Sequence, residues 1–296
     1  MDSYLIYTDS AADIPQSVFA EYDIRIIPMD YMLDGESVTF YTNSPDHDAE
    51  CDRVFEALRR GAEVHTSQIT PYRYIENWTP LLKEGHDILY LCFSSGMSAT
   101  YENAVSAVRM LKEDFPDRKI IVVDSLAATA GQGLYTHVAA INRGKGMSIE
   151  ENAQWLNDHR KYLCHRFTVG DLDYLHKGGR VSAAVALVGG MLNIKPLLII
   201  DDEGKLQVVA KARGENSALK NLVRALQRQW GVEDVPELIY IGHSSLYEKV
   251  EDLKNMVRMA LGDKIRIEVI CETPIIGVHT GPEFFSLIHF GKQRKE

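Results

Sequence analysis

The fold turns on one stretch: Ile88-Leu89-Tyr90-Leu91-Cys92-Phe93-Ser94-Ser95-Gly96-Met97-Ser98-Ala99-Thr100. Its first five residues are continuously apolar, the length and composition of a strand buried on both faces of a parallel sheet. From Tyr101 to Leu111 the apolar residues Ala104, Val105, Val108 and Leu111 recur at helical spacing. Between strand and helix stands a turn rich in hydroxyls. Such a corner presents unpaired backbone N–H groups and the positive end of a helix dipole, and so suits a phosphate or a carboxylate. The same residues also suit plain capping, with Ser98 as N-cap and Glu102 closing the turn.

The pattern repeats on either side. Tyr4 to Thr8 reads as a first strand and runs into Asp9-Ser10-Ala11-Ala12-Asp13, where polar residues past a strand end mark a ligand position or a helix cap. Ile24 to Met29 reads as a second strand, Asp34-Gly35 as a hairpin turn, and Ala49 to Arg60 as an amphipathic helix. His65 to Pro71 is another polar turn, with a helix over 72–84. Ile120 to Ser125 is again strand then polar turn, followed by helices over Gly131–Arg143 and Ser148–Leu163. Strand and helix in alternation predict a mostly parallel sheet with helices on both faces.

Beyond Leu163 the pattern changes. Asp202-Glu203-Gly204-Lys205 is a hairpin turn between Leu197–Ile200 and Leu206–Ala210. Helices at Glu215–Trp230 and Tyr247–Leu261 alternate with strands at Leu238–Ile241 and Ile265–Ile270. The expected architecture is α/β in two domains: residues 1–163 with a mostly parallel sheet, and residues 164–296 of α+β type.

Composition bounds the function. A net charge of −10 argues against non-specific nucleic-acid binding. The four cysteines are widely spaced with no Cys-x-x-Cys pair, which predicts buried, reduced thiols and a cytoplasmic setting. Met1-Asp2-Ser3-Tyr4 does not read as a secretory leader. The most apolar segment, Ala183 to Leu192, is too short and too glycine-rich to span a bilayer.

Taken together, the turns resemble the DegV family. The matching stretches are Thr8-Asp9-Ser10, Thr66-Ser67-Gln68, Ser94 through Tyr101, and Val123-Asp124-Ser125. They continue in the family's order with Asp173-Tyr174-Leu175, Lys177-Gly178-Gly179-Arg180-Val181-Ser182 and Leu192 through Pro196. Lys211-Ala212-Arg213 and Gly277-Val278-His279-Thr280-Gly281-Pro282 complete the set, which spans nearly the whole chain. The resemblance implies a bacterial protein that binds a long-chain fatty acid between two α/β domains. It further implies a carrier without catalysis or cofactor of its own, presenting the acyl carboxylate to a separate ATP-binding subunit of a fatty-acid kinase. The family's carboxylate contacts carry over onto Thr66, Ser98 and His279, with Ser67, Ser94 and Ser95 as secondary head-group candidates. The kinase-facing feature carries over onto Arg180, with Arg213 beside it. Ile69, Ala99 and Glu283 stand where the family more often has proline, glycine and glycine.

The chemistry is consistent with that assignment. A carboxylate calls for short, preorganised donors, which hydroxyls, backbone N–H groups and an imidazole supply. Thr66 and Ser98 equally suit helix caps, and His279 equally suits an ordinary loop position. An acyl tail calls for a dry tunnel, for which Ala183–Leu192, Phe284 and Phe285 are candidate lining. The rival class is a small-molecule phosphotransferase or hydrolase using the same strand-end corners. Against it, the chain carries no Gly-x-Ser-x-Gly elbow, Walker A motif, His-Glu-x-x-His pair or dinucleotide fingerprint.

Overall fold

A computed structural model describes residues 4–182, 193–292 and 294. Three sheets organise it. The first is fully parallel, in the order β2-β1-β6-β7, from β1 (Leu5–Asp9), β2 (Ile24–Ile27), β6 (Ile88–Cys92) and β7 (Ile120–Asp124). Successive residues of its inner strands enter different cores. Leu5, Tyr7, Ile88 and Tyr90 pack with Trp78 and Leu82 of α3 (Pro71–Lys83) and with Ala104 and Leu111 of α4 (Thr100–Asp114). Ile6, Leu89 and Leu91 pack the other way, with Val18 of α1 (Gln16–Glu21), Leu134 of α5 (Thr129–Gly144) and Leu156 of α6 (Ile149–His159). Burial on both faces is why these strands read as continuous apolar runs.

Two expectations change in the first half. The strand expected over Ile24–Met29 is two strands divided at Pro28. β3 (Met29–Leu33) leaves the parallel sheet and joins β4 (Glu36–Phe40) and β5 (Val64–Thr66) in a small antiparallel sheet, with Asp34 and Gly35 at positive φ in the hairpin turn. The polar turn expected to hold Thr66 is thus, in part, an edge strand. The helix expected to reach Leu163 ends at His159, because Leu163 is the first residue of β8 (Leu163–Thr168) and pairs with Phe290. Its start is as read: Ser148 and Glu151 form a reciprocal capping box.

The third sheet has six strands in the order β10-β9-β8-β13-β11-β12: β9 (Ile194–Ile200), β10 (Leu206–Arg213), β11 (Leu238–His243), β12 (Arg266–Cys271) and β13 (Phe285–Phe290) complete it. α8 (Glu215–Gln229) and α9 (Tyr247–Leu261) cover one face through Leu219, Leu222 and Leu253. The other face looks toward the rest of the chain, and α5, buried along most of its length, contacts β1, β6, β11 and β13. All four cysteines are buried. No helix among the described residues is long and apolar enough to cross a membrane.

Candidate functional site

In the parallel sheet the chain leaves β1 toward β2 on one side and returns to β6 on the other, so the crevice beyond the carboxyl ends of β1 and β6 is a topological switch point, where open α/β sheets bind ligands. A cavity of about 450 Å³ opens there. Ala11 from the end of β1 and Phe93, Met97 and Ser98 from the end of β6 form one wall. Met29, Thr66, Ser67 and Gln68 contribute from the small sheet and the segment after it. The six-stranded sheet adds Phe167 and Ile200, the residue before β13 adds Phe284, and α7 (Asp173–Lys177) and α10 (Pro274–Thr280) bring Leu175, Ile275, Ile276 and His279. Its outer end is reached from solvent, since Ser67, Gln68 and Ala99 are exposed; its inner end is buried.

Thr66 and His279 meet at that outer end, Oγ1 to Nε2 at 2.9 Å, across 213 residues of sequence. His279 lies in the last turn of α10, where a loop was expected, and α10 is held at both ends. Thr273, its N-cap residue, donates its N–H to Asp13 at 2.9 Å; the Thr280 hydroxyl donates to Glu272 at 2.6 Å. Gly281 ends the helix at φ 81, a left-handed conformation that favours glycine, in contact with Tyr174. Gly178 seats the imidazole: a Cβ at that position would lie 2.5 Å from Nδ1. Burial first, then the charge of Arg180 and that of His65, pushes the His279 pKa down to about 4. At neutral pH the ring is therefore uncharged, with one N–H to give.

Ser98 lies one residue outside the cap position, which Ala99 occupies. Its hydroxyl accepts the Thr100 N–H at 3.2 Å and pairs with Thr100 Oγ1 at 2.9 Å, so the same side chain that lines the cavity also meets the first residue of α4. Ser67 also reaches the wall. Ser94 and Ser95 do not. Ser94 donates to the Gly204 carbonyl at 2.8 Å and accepts the Gly96 N–H at 3.2 Å, pinning the turn to the β9–β10 hairpin. Ser95 donates to Asp124 at 2.5 Å. Phe284 lines the cavity, whereas Phe285, the next residue along the chain, points into the opposite core beneath α8 and α9. The expected lining at Ala183–Leu192 lies outside the described residues.

Arg180 is half-buried, lines the cavity, and also lines an adjoining groove with Lys205, Leu206 and Gln207. Its guanidinium donates to the Gly178 carbonyl and has no carboxylate partner among the described residues. Arg213 is exposed at the far end of β10, roughly 20 Å along the strand from Leu206, so the two arginines do not form one patch. Glu283 is engaged by Lys195 and packs against Gly170, which gives that departure from the family pattern a local partner.

The chain matches the family described as uncharacterised protein, DegV family, over residues 3–292. It belongs to the DegV family. A DegV domain-containing protein of Clostridium perfringens is 36% identical to this DegV chain over 296 residues, covering 100% of both. A solved structure of a fatty-acid-binding DegV family protein from Thermus thermophilus superposes with TM-score 0.83 at 27% identity, covering 98% of this chain and 100% of that one. The B3 protein of the Streptococcus pneumoniae fatty acid kinase, solved loaded with linoleic acid, shares the fold at TM-score 0.83 and 19% identity, with 98% and 100% covered. Sequence reading missed most of the apolar wall and, among the polar lining residues, Thr129, His165 and Ser286. His165 fell just past a helix read as far as Leu163, in a segment given no element; the run Leu163-Cys164-His165-Arg166-Phe167 was the signal available.

Proposed function

We propose that this protein binds a long-chain fatty acid, with the carboxylate at the outer end of the cavity between Thr66, Ser98 and His279, and the acyl chain running inward. One observation carries the reading: a deep cavity whose solvent-reached end brings Thr66 and His279 to 2.9 Å and whose wall continues inward through Phe93, Phe167, Ile200 and Phe284. The neutral imidazole and the two hydroxyls are hydrogen-bond donors to an oxyanion, and the apolar wall takes the methylenes out of water. The fatty-acid-binding relative from Thermus thermophilus supports the same ligand class. In this reading residues 1–163 and 164–296 act as two domains that share the ligand.

The protein then acts as a carrier, its bound carboxylate offered to a separate ATP-binding kinase subunit. Arg180, between cavity and groove and without a carboxylate partner among the described residues, is the residue that would meet that subunit or its phosphate. Arg213 would lie outside that contact. The cytoplasm is the setting in which such a subunit would be met. The test is direct. Purified protein is denatured, extracted with organic solvent and analysed by mass spectrometry. About one fatty acid per chain is expected; an empty protein that hydrolyses esters or ATP unaided would replace the carrier with an enzyme.

A further inference from the structure

The inner end of the cavity is not apolar. His165, Ser286 and Thr129 line it at 1%, 1% and 7% exposure. In the β8–β13 register Phe167 stands opposite Ser286 and His165 opposite Ile288, so His165 and Ser286 are diagonal neighbours on one sheet face. Thr129 comes from the first turn of α5, two residues before Gly131, and Gly131 seats the imidazole: a Cβ there would lie 1.9 Å from Nε2. The depth is clear from the strand, because His165 precedes the end of β8 by three residues, roughly 10 Å, and the chain turns toward α7 and His279 only after that.

Neither ring nitrogen of His165 has a hydrogen-bond partner among the described residues. The Leu163 carbonyl is near but lacks the geometry of a hydrogen bond. Ser286 accepts the Gly242 N–H at 3.2 Å, and no acceptor for its own hydroxyl hydrogen occurs among the described residues. A buried imidazole with both nitrogens unpaired is costly unless something else completes it. Burial and then the charge of Arg294 hold its pKa well below the usual histidine value, so the ring is neutral at pH 7. It offers one donor and one acceptor, the complement of an alcohol, which both gives and takes a hydrogen bond. It is no counter-ion for a second carboxylate.

We propose that the inner end of the cavity is a second recognition site, where His165, Ser286 and Thr129 bind a hydroxyl carried on the ligand's chain, so that the protein selects a hydroxylated long-chain fatty acid over its plain counterpart. The proposal rests on the fatty-acid reading above. Site discrimination of this kind arises because a plain methylene in the same place leaves the buried polar groups unpaired.

The experiment measures the affinity of delipidated full-length protein for stearate and for a series of hydroxystearates with the hydroxyl at successive positions. One position is expected to bind on the order of tenfold tighter than stearate, with the advantage lost a few carbons either side. His165→Leu should abolish that advantage, so that stearate and the favoured hydroxystearate bind alike. Should melting curves show that variant unfolded, Ser286→Ala takes its place and must lose part of the advantage. If no hydroxylated isomer outbinds stearate, the inner groups hold water alone and the proposal is overturned while the fatty-acid reading stands. If neither stearate nor any isomer binds, the fatty-acid reading fails and the proposal with it.

Discussion

The Thr66–His279 contact is partly buried at the mouth of the cavity, and that sets what each donor can contribute. Both Thr66 and Ser98 are partly buried, so a hydroxyl turned to an anionic carboxylate there makes a charge-assisted hydrogen bond. Thr66→Ala or Ser98→Ala should each cost about 1.5–3 kcal/mol, or roughly one to two decades in fatty-acid affinity by titration calorimetry. Unchanged affinity in both would remove the hydroxyls from the head-group site. His279 adds a pH signature. Its pKa is about 4 in the free protein, because burial and the nearby Arg180 charge disfavour the imidazolium. A bound carboxylate favours the imidazolium, so the pKa must rise on binding, and between the two values binding takes up a proton. Histidine NMR titrations with and without ligand read both values directly, and an unmoved His279 resonance would place the carboxylate elsewhere. Gly178→Ala probes the same contact from the far side. The backbone there is ordinary helical, so the added methyl displaces His279, whose Nδ1 it would approach to 2.5 Å. Affinity should fall about as far as in His279→Ala, with little change in melting temperature.

α10 carries the head-group histidine, and its anchoring is where local sequence and tertiary structure part company. Asp13 and Glu272 are both fully buried beside it, with Asp13 Oδ2 and Glu272 Oε1 lacking partners among the described residues. Burial raises both carboxyl pKa values, that of Asp13 to about 7, and the charge of Asp13 raises Glu272 further. A carboxyl whose folded pKa exceeds its unfolded value weakens the fold as pH climbs from the unfolded value near 4 toward the folded one, because only the unfolded chain ionises there. Glu272→Gln keeps the hydrogen bond from Thr280 and removes the titration. The variant should match wild type near pH 4 and become the more stable of the two as the pH is raised to 7, read from urea melts at both pH values. The reverse order would mean that Glu272 is ionised and paired in the native protein. None of this was visible in Gly277-Val278-His279-Thr280-Gly281-Pro282, whose glycines and proline suggest a turn. Pro274 at the first helical position is the start signal, but the helix is only seven residues long and exists because Asp13, Phe55 and Tyr174 hold it. The strands and long helices, by contrast, were legible because their burial repeats with a period the sequence displays. Ser94 and Ser95 show the limit from the other side: hydroxyls in the expected corner face a hairpin 110 residues away, or an aspartate on the next strand, and composition does not distinguish those orientations.

At the scale of the whole molecule, three sheets converge on one cavity, so affinity should report its length and its outer face should report any partner. Each methylene moved into the cavity contributes about 0.8 kcal/mol. Affinity should therefore rise about fourfold per carbon and stop where the inner wall at Ile288 and His165 is reached. Equal binding of acetate and palmitate at matched concentration would end the tunnel reading. The kinase-facing role tests a different surface. Arg180 is half-buried between cavity and groove, burial depresses its guanidinium pKa, and among the described residues no carboxylate neutralises it. A cation placed beside a head group in a protein of net charge −10 is a local exception with an anionic contact to make. If that contact belongs to the kinase or its phosphate, Arg180→Ala should keep fatty-acid affinity within a few-fold and the melting temperature within a few degrees. Turnover of bound fatty acid by an added ATP-binding subunit should meanwhile fall by on the order of tenfold or more, the loss of one charge-assisted contact. A collapse in melting temperature would assign Arg180 to the fold through its bond to the Gly178 carbonyl. A loss of fatty-acid binding with the fold intact would instead assign the guanidinium to the carboxylate, making Arg180 a fourth head-group residue beside Thr66, Ser98 and His279.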